Sequence, residues 1–513
     1  MSNTIAKSAL WVTISEILFN LSGFIIHSVL GRVLGPADYG RYGLIVTLTT
    51  MVIVLIGNGI PTAMAKYISE IFETDPRMVL QIKKQAIKLQ MIIVGAITVI
   101  FYLSAGLISK ALGDPTLAPL FRFSTLIIPA FAAASFYFSY YTGLHKFNTQ
   151  ATLKTIRSVM RIGFVIGMAI LFGLKGSLSG YIIAPFSVFA IAFLIDKFKI
   201  SKELKSHIAV KTQNIASLPK ETSFDWKKLV NYGWQIVVFF LAYELLISID
   251  LYMVKAILHD DVLTGIYNAS LTVGRIPYYI FYAMTVFLLP MMSKSTAQNN
   301  HSETTRILAQ ALRIILILLV PMIILLSIFS LPTLELLYGQ KYLAGAVPMS
   351  ILVFGVGFLT LFYVLSFAMN GAGKTKLVMW IASIGLAINS TLNYFFIQKY
   401  GILGSAIATS VASFVIMIIM LCYLHRDFGV AYKIRSVSSV ALAGLGIYIF
   451  SLIIPLDKKF FIIESIILLG VYFGSLWLLR EIKKEDLTIL QNLIRRKKVV
   501  EVEQELSGNE PSA

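Results

Sequence analysis

The chain has 513 residues, 57% of them apolar and 14% charged, with a formal net charge of +18 and a mean hydropathy of +0.79. A soluble domain of this length does not show that balance, and apolar runs of about 20 residues, the length a helix needs to cross about 30 Å of hydrocarbon, recur as far as residue 479. Alternating strands are absent, which excludes a β-barrel, and Cys422 is the only cysteine, which excludes an intramolecular disulfide and a Cys-based metal cluster.

Fourteen helices are expected, at roughly residues 8–32, 42–66, 84–108, 119–144, 156–174, 177–197, 229–254, 265–292, 307–330, 350–372, 377–398, 402–424, 435–455 and 461–479. An even number places both termini on one side. Taking that side as cytoplasm puts most of the 44 lysines and arginines in or beside inner loops and tails, with Arg275 left inside a helix, as the positive-inside rule asks. The basic charge thus follows topology and needs no nucleic-acid partner. The connection at 199–228 reads as a basic cytoplasmic linker resting against anionic membrane lipids, and the tail at 480–513 as a surface helix followed by disorder. The first helix is as long as the others and lacks a small-residue cleavage site, so it is expected to remain in the mature protein.

An internal repeat divides the chain. Gly143-Leu144-His145-Lys146, an apolar helix, and then Lys175-Gly176-Ser177-Leu178 correspond to Gly371-Ala372-Gly373-Lys374, an apolar helix, and then Tyr400-Gly401-Ile402-Leu403. Gly40-Arg41-Tyr42 likewise matches Gly265-Ile266-Tyr267. The halves are residues 1–198 and 229–428, with an unrepeated pair of helices at 429–479. Because six helices is an even number, the repeats run parallel, related by an axis along the membrane normal. Two such bundles around a central cavity can rock and expose it to either side.

Charge inside these helices needs a reason, because an ionisable group at mid-membrane costs about 2.5–3.5 kcal/mol on insertion scales. In the first helix Glu16, Asn20, Gly23 and His27 fall on one face, which suits a wet cavity or a polar lock between helices. The seventh helix holds Glu244 and Asp250, about 120° apart. The eighth carries Asn268, Arg275 and Tyr282 at seven-residue intervals, flanked by Tyr278 and Tyr279, with Pro277 allowing a break. A guanidinium fork suits phosphate or diphosphate and tyrosines suit sugars, although Arg275 pairing with Glu16, Glu244 or Asp250 is an equally physical reading. Asn389 and Asn393 share a face and fit helix-to-helix hydrogen bonding. His259-Asp260-Asp261 is read as a solvated outer loop, and Arg32 as an interfacial cation. No cofactor or metal is expected.

The stretch Gly31-Arg32-Val33-Leu34-Gly35-Pro36-Ala37-Asp38-Tyr39-Gly40-Arg41-Tyr42-Gly43, its echo at Gly265-Ile266-Tyr267, Leu289-Pro290, and Leu337-Tyr338-Gly339-Gln340-Lys341-Tyr342 resemble the polysaccharide-export branch of the multidrug/oligosaccharidyl-lipid/polysaccharide flippase superfamily. The resemblance spans nearly the whole chain. It implies a non-enzymatic flippase that moves an undecaprenyl-diphosphate-linked oligosaccharide or polysaccharide repeat unit across the cytoplasmic membrane by alternating access, with partners among the polysaccharide-assembly proteins. It also implies a cavity role for Arg275 and a lipid-tail groove formed by the last two helices. The first helix lacks the Arg-Asp pair of the related lipid II flippases and has Glu16 instead. Two other readings stand beside this one: an H+- or Na+-coupled multidrug or metabolite antiporter using Glu16, Asp250 or Glu244, and a membrane-embedded polymerase or glycosyltransferase, against which the short outer loops argue.

Overall fold

A computed structural model describes residues 2–72, 75–214, 224–298, 300–430, 434–453 and 460–481. These residues form helices α1 (Ser2–Asn58), α2 (Ile60–Ile71), α3 (Arg77–Ala111), α4 (Ala118–Ser124), α5 (Ile127–Gly143), α6 (Phe147–Ile195), α7 (Ser201–Asn214), α8 (Lys227–Leu258), α9 (Asp261–Gly274), α10 (Ile276–Ala297), α11 (His301–Ile328), α12 (Ser330–Tyr338), α13 (Ala346–Gly371), α14 (Thr375–Phe428), α15 (Ile434–Ile453) and α16 (Phe461–Leu478), with no strand among them. The protein is an all-α polytopic membrane protein. Nine helical stretches among the described residues are long and apolar enough to cross a membrane, against the fourteen expected.

Part of that difference lies in three stretches that double back. Helix α14 has 54 residues and would run about 80 Å if straight, far beyond one crossing. It bends at Gly401 (φ 58°, ψ −139°), and α6 bends at Gly173 (φ 60°, ψ −140°). The sequence repeat sets Gly176 against Gly401, but it is Gly173 that shares the Gly401 backbone conformation, and Gly176 that matches Gly404, so the register shifts by three residues; that conformation lies where only glycine sits without strain. The limbs then close tightly: a Cβ at Gly176 would lie 1.9 Å from the Met168 carbonyl oxygen, and one at Gly404 would lie 2.0 Å from that of Phe396. Helix α1 turns likewise at Gly35 (φ 73°, ψ 171°).

The break between α9 and α10 falls at Arg275, two residues before Pro277. Proline has no N–H to continue the ladder and its ring clashes with the carbonyl four residues back, so the chain steps there and Arg275 sits at the step. Helix α6 begins at Phe147, whereas the sequence places a helix start near 156. The polar residues between those positions hide its first turns from hydropathy.

The two halves meet around the Gly35 turn. Gly40 and Gly265, equivalent in the repeat, lie against each other: a Cβ on Gly265 would stand 1.8 Å from the Pro36 carbonyl oxygen and 3.0 Å from the Gly40 nitrogen. Helix α1 packs on α6 and α9, and α8 packs on α14. Helices α15 and α16 dock on α11 through Leu325, Val440, Ile447, Leu468 and Tyr472. Arg313 of α11 fixes their ends by donating to Glu481 at 2.9 Å, which also accepts from Ser436 at 2.7 Å. In the linker, α7 accounts for 201–214. Residues 215–223 and the tail from 482 lie outside the described residues.

Candidate functional site

A cavity of about 320 Å³ lies between the halves. The first limb of α1 lines it with Glu16, Asn20, Gly23 and His27, α8 with Glu244 and Ser248, and the α9–α10 step with Thr272, Arg275, Tyr278 and Tyr279. The polar stripe of α1 and the cluster around Arg275 therefore share one space although they are far apart in sequence.

Within that space the ions are not paired as the sequence suggests. Glu16 forms its ion pair with Lys154 of α6, and Arg275 donates to the Ile247 carbonyl and, at 3.5 Å, to Ser248 Oγ. Among the described residues Arg275 has no ion pair. Arg161 of α6 and Tyr181 also line the cavity. Arg157 and Arg161 escape the sequence reading because they fall in the first turns of a helix placed from 156 and are counted with the cations beside the inner loop. With α6 starting at Phe147, Arg161 stands about 20 Å along the helix. The spacing of Lys154, Arg157 and Arg161 by three and four residues is the signal that could have found them.

Two expected cavity residues lie elsewhere. Asp250 is fully buried behind Arg275, lining with it a void of only about 10 Å³. Its carboxylate accepts from Tyr267 Oη at 2.8 Å, from Thr409 Oγ1 at 3.4 Å and from the Leu251 N–H at 2.8 Å. Thr409 continues to Asn389 at 3.3 Å, and Asn393 bonds Asn389 at 2.7 Å and accepts from Ser405 at 2.7 Å, so the two asparagines tie helices together. Asn268 is buried against Gly43, where a Cβ would come within 2.3 Å of its amide nitrogen. Helical periodicity puts both residues on polar faces but does not say which neighbour each face meets. The side chain of Tyr282 lies outside the described residues.

Toward the Gly35 turn an aromatic seal closes the cavity. His27 Nδ1 and Tyr39 Oη are 3.0 Å apart, and Tyr39 Oη lies 3.4 Å from Thr272 Oγ1 and 3.3 Å from Tyr338 Oη. Tyr342 donates to the Gly31 carbonyl at 2.6 Å. The stretches around Tyr39 and around Tyr338-Tyr342, each noted in the sequence for its motif, are thus two sides of one contact between halves. Arg32, expected to be interfacial, donates from Nε to the Leu337 carbonyl at 2.9 Å at the end of α12, where a cation meets the negative end of the helix dipole.

A rim of charge surrounds this seal. Arg41 donates to Asp261 at 2.7 Å, and Lys255 bonds Asp114 at 3.2 Å and also pairs with Asp261. Asp260 caps α9 through the Val262 and Leu263 N–H groups at 2.7 and 3.0 Å. The His259-Asp260-Asp261 stretch is therefore a cap and a clamp, correcting its reading as a solvated loop. Burial raises the Asp114 carboxyl, but hydrogen bonds from Thr116 and Lys255 and the Lys255 charge outweigh it and hold the group below its ordinary value.

The geometry agrees with the comparisons to known proteins. The family model described as "Polysaccharide biosynthesis protein" matches residues 5–296, more than half the chain, and that described as "Lipid II flippase MurJ" matches residues 218–470. Stage V sporulation protein B of Bacillus subtilis (strain 168) is 22% identical over 460 residues, covering 84% of this chain and 86% of that protein. The lipid II flippase MurJ of the same organism is 23% identical over 490 residues, 87% of each. A solved structure of lipid II flippase MurJ in an inward closed conformation superposes with a TM-score of 0.72 at 16% identity, covering 92% of this chain and 99% of that one, which shows a common fold. The chain belongs to the polysaccharide biosynthesis protein family, in the flippase branch of the multidrug/oligosaccharidyl-lipid/polysaccharide superfamily.

Proposed function

We propose that this protein translocates an undecaprenyl-diphosphate-linked oligosaccharide or polysaccharide repeat unit across the cytoplasmic membrane for cell-surface polysaccharide assembly, without catalysing a reaction. The observation that carries this reading is the cavity between the halves, where Arg275 faces the space with no ion pair among the described residues and Tyr278 and Tyr279 stand beside it. A planar cation there suits a phosphate, and tyrosine rings and hydroxyls suit sugars. The isoprenyl tail stays in lipid, guided by α15 and α16. The two halves rock about the Gly40–Gly265 contact, both termini are cytoplasmic, and membrane lipids and other polysaccharide-assembly proteins are the partners.

Asp250 is the carboxylate we assign to ion coupling. The hydroxyls of Tyr267 and Thr409 reach it, oxygens that suit H+ or Na+, and Thr409 links it to Asn389 on the other limb of α14. Glu16 is committed to Lys154, which leaves Asp250 and Glu244 as the other candidates. Transport by an Asp250→Asn variant is expected to lose its dependence on the cation or proton gradient; retained dependence would move coupling to Glu244.

The deciding experiment depletes the protein and identifies the lipid-linked sugars on the cytoplasmic leaflet. Accumulation of one such species is expected, and an unchanged pool would remove the proposal.

A further inference from the structure

Helix α6 brings Lys154, Arg157 and Arg161 to one face. Among the described residues only the first has an acid partner, Glu16. Arg157 is 6% exposed and has neither a hydrogen bond nor a carboxylate among the described residues. Its guanidinium lies 4.3, 5.3 and 4.8 Å from the ring centroids of Phe19, Phe131 and Phe138, and its Nε is buried without a partner.

Arg161, 5% exposed, faces the cavity. It donates to the Phe19 carbonyl at 2.7 Å and to Ser22 Oγ at 2.6 Å, stacks at 4.1 Å on Phe19, and leaves its Nε buried without a partner. Neither acceptor is charged. Gly23 makes room for this head group, since a Cβ there would lie 3.1 Å from Arg161 Nη2.

Cation–π contacts stabilise a guanidinium far less than unpaired burial destabilises it. The nearby carboxylate cannot make up the difference, because Glu16 is taken by Lys154. Around this cavity Lys154, Arg157, Arg161 and Arg275 stand against Glu16 and Glu244, with Asp250 buried behind Arg275. Cations are in excess, and the two guanidiniums of α6 have no acid partner among the described residues.

We infer that Arg161, backed by the charge of Arg157, forms the second part of a diphosphate subsite, Arg161 holding one phosphate from the N-terminal half and Arg275 the other from the C-terminal half. The inference rests on the flippase reading and adds to it the residues that recognise the anion. It makes the ligand itself a bridge between the halves. Phe19, stacked by both α6 guanidiniums, keeps their planes in place, so Arg157 is a positioning residue and Arg161 a contact residue.

The test measures binding of farnesyl diphosphate, inorganic pyrophosphate and farnesol to the full-length protein in nanodiscs. Arg161→Gln is expected to weaken farnesyl diphosphate by about tenfold or more, since a charge-assisted fork is lost, and to weaken pyrophosphate in parallel while farnesol is unaffected. Arg157→Gln is expected to have a smaller effect. Should Arg161→Gln not insert, Arg161→Lys decides, because it keeps the charge and loses the planar fork and should still weaken diphosphate binding severalfold. Affinity at the wild-type level in whichever Arg161 variant inserts overturns the inference. If Arg275→Gln alone loses binding, this subsite falls and the flippase reading stands. If the wild-type protein binds neither diphosphate, both fall. Pyrophosphate bound as tightly as farnesyl diphosphate would place recognition in the anion alone and still support the subsite.

Discussion

The seal at the Gly35 turn and the cavity beneath it are built from the same kinds of residue used in opposite ways. In the seal, tyrosine hydroxyls meet a histidine, a threonine, a second tyrosine and a backbone carbonyl, and the rim cations Arg41 and Lys255 each have carboxylate partners. In the cavity, Arg157 and Arg275 have no carboxylate partner among the described residues, and Arg161 rests on neutral acceptors. A region whose polar groups bond to one another holds a conformation, whereas a region with cations in excess awaits a ligand. Under the proposed function the contrast divides the molecule into a gate and a binding chamber.

The largest effect that would break this division comes from the backbone contact. Gly265→Ala puts a methyl where 1.8 Å separates it from the Pro36 carbonyl oxygen, so the halves cannot close. Transport is expected to fall at least tenfold, and a cysteine placed at Thr272 should become open to thiol labelling from the Gly35 side. Normal transport would show that the seal is not closed in the cycle.

Arg275→Ala acts on the chamber. Loss of a charge-assisted contact worth about 1.5–3 kcal/mol predicts a fall of roughly tenfold or more in export with normal insertion, while thiol access through the seal should not change. Full export would remove Arg275 from the chamber.

Tyr39→Phe takes one hydroxyl from the centre of the seal. About 0.5–1.5 kcal/mol is expected for each neutral hydrogen bond, seen as a modest rise in labelling from the Gly35 side and little change in substrate affinity. An affinity loss as large as that of Arg275→Ala would blur gate and chamber into one site.

The smallest effect is at the rim and depends on pH. Asp114 is held below its ordinary value when folded, so its contribution is fully present above the unfolded value of about 3.9 and is lost as pH falls through the folded one. Closure measured by labelling should therefore weaken on acidification in that window, and Asp114→Asn should remove that part of the dependence. An unchanged acid profile would assign the dependence to other carboxylates.

Much of this was legible in the sequence, for reasons that also explain the gaps. Apolar length marks the helices, and the four- and three-residue spacing of Glu16, Asn20, Gly23 and His27 marks one face, because both signals are local. The repeat locates the two hairpins but sets Gly176 against Gly401, three residues from the true equivalent Gly173, because the apolar residues around each turn allow more than one register. Arg157 and Arg161 were hidden because hydropathy starts α6 late, after its polar first turns. Asp250 and Asn268 sit on the expected helices yet meet neighbouring helices instead of the cavity, which a single helix period cannot reveal. The tyrosine seal joins Tyr39 to Tyr338 and Tyr342 at ring-centroid distances of 5.6 and 6.1 Å, a pairing made only by the packing of the two halves.

The meeting of Gly40 with Gly265 has one more consequence. At that point the halves touch main chain to main chain, with no side chain between them, so nothing at the fulcrum titrates, is screened by salt, or must choose a rotamer when contact is remade. Acid and ionic strength can loosen the ring of Arg41, Asp114, Lys255 and Asp261, but the pivot inside it is set by shape alone. In the proposed rocking cycle the firmness of closure can thus be tuned while the Gly40–Gly265 contact keeps its shape.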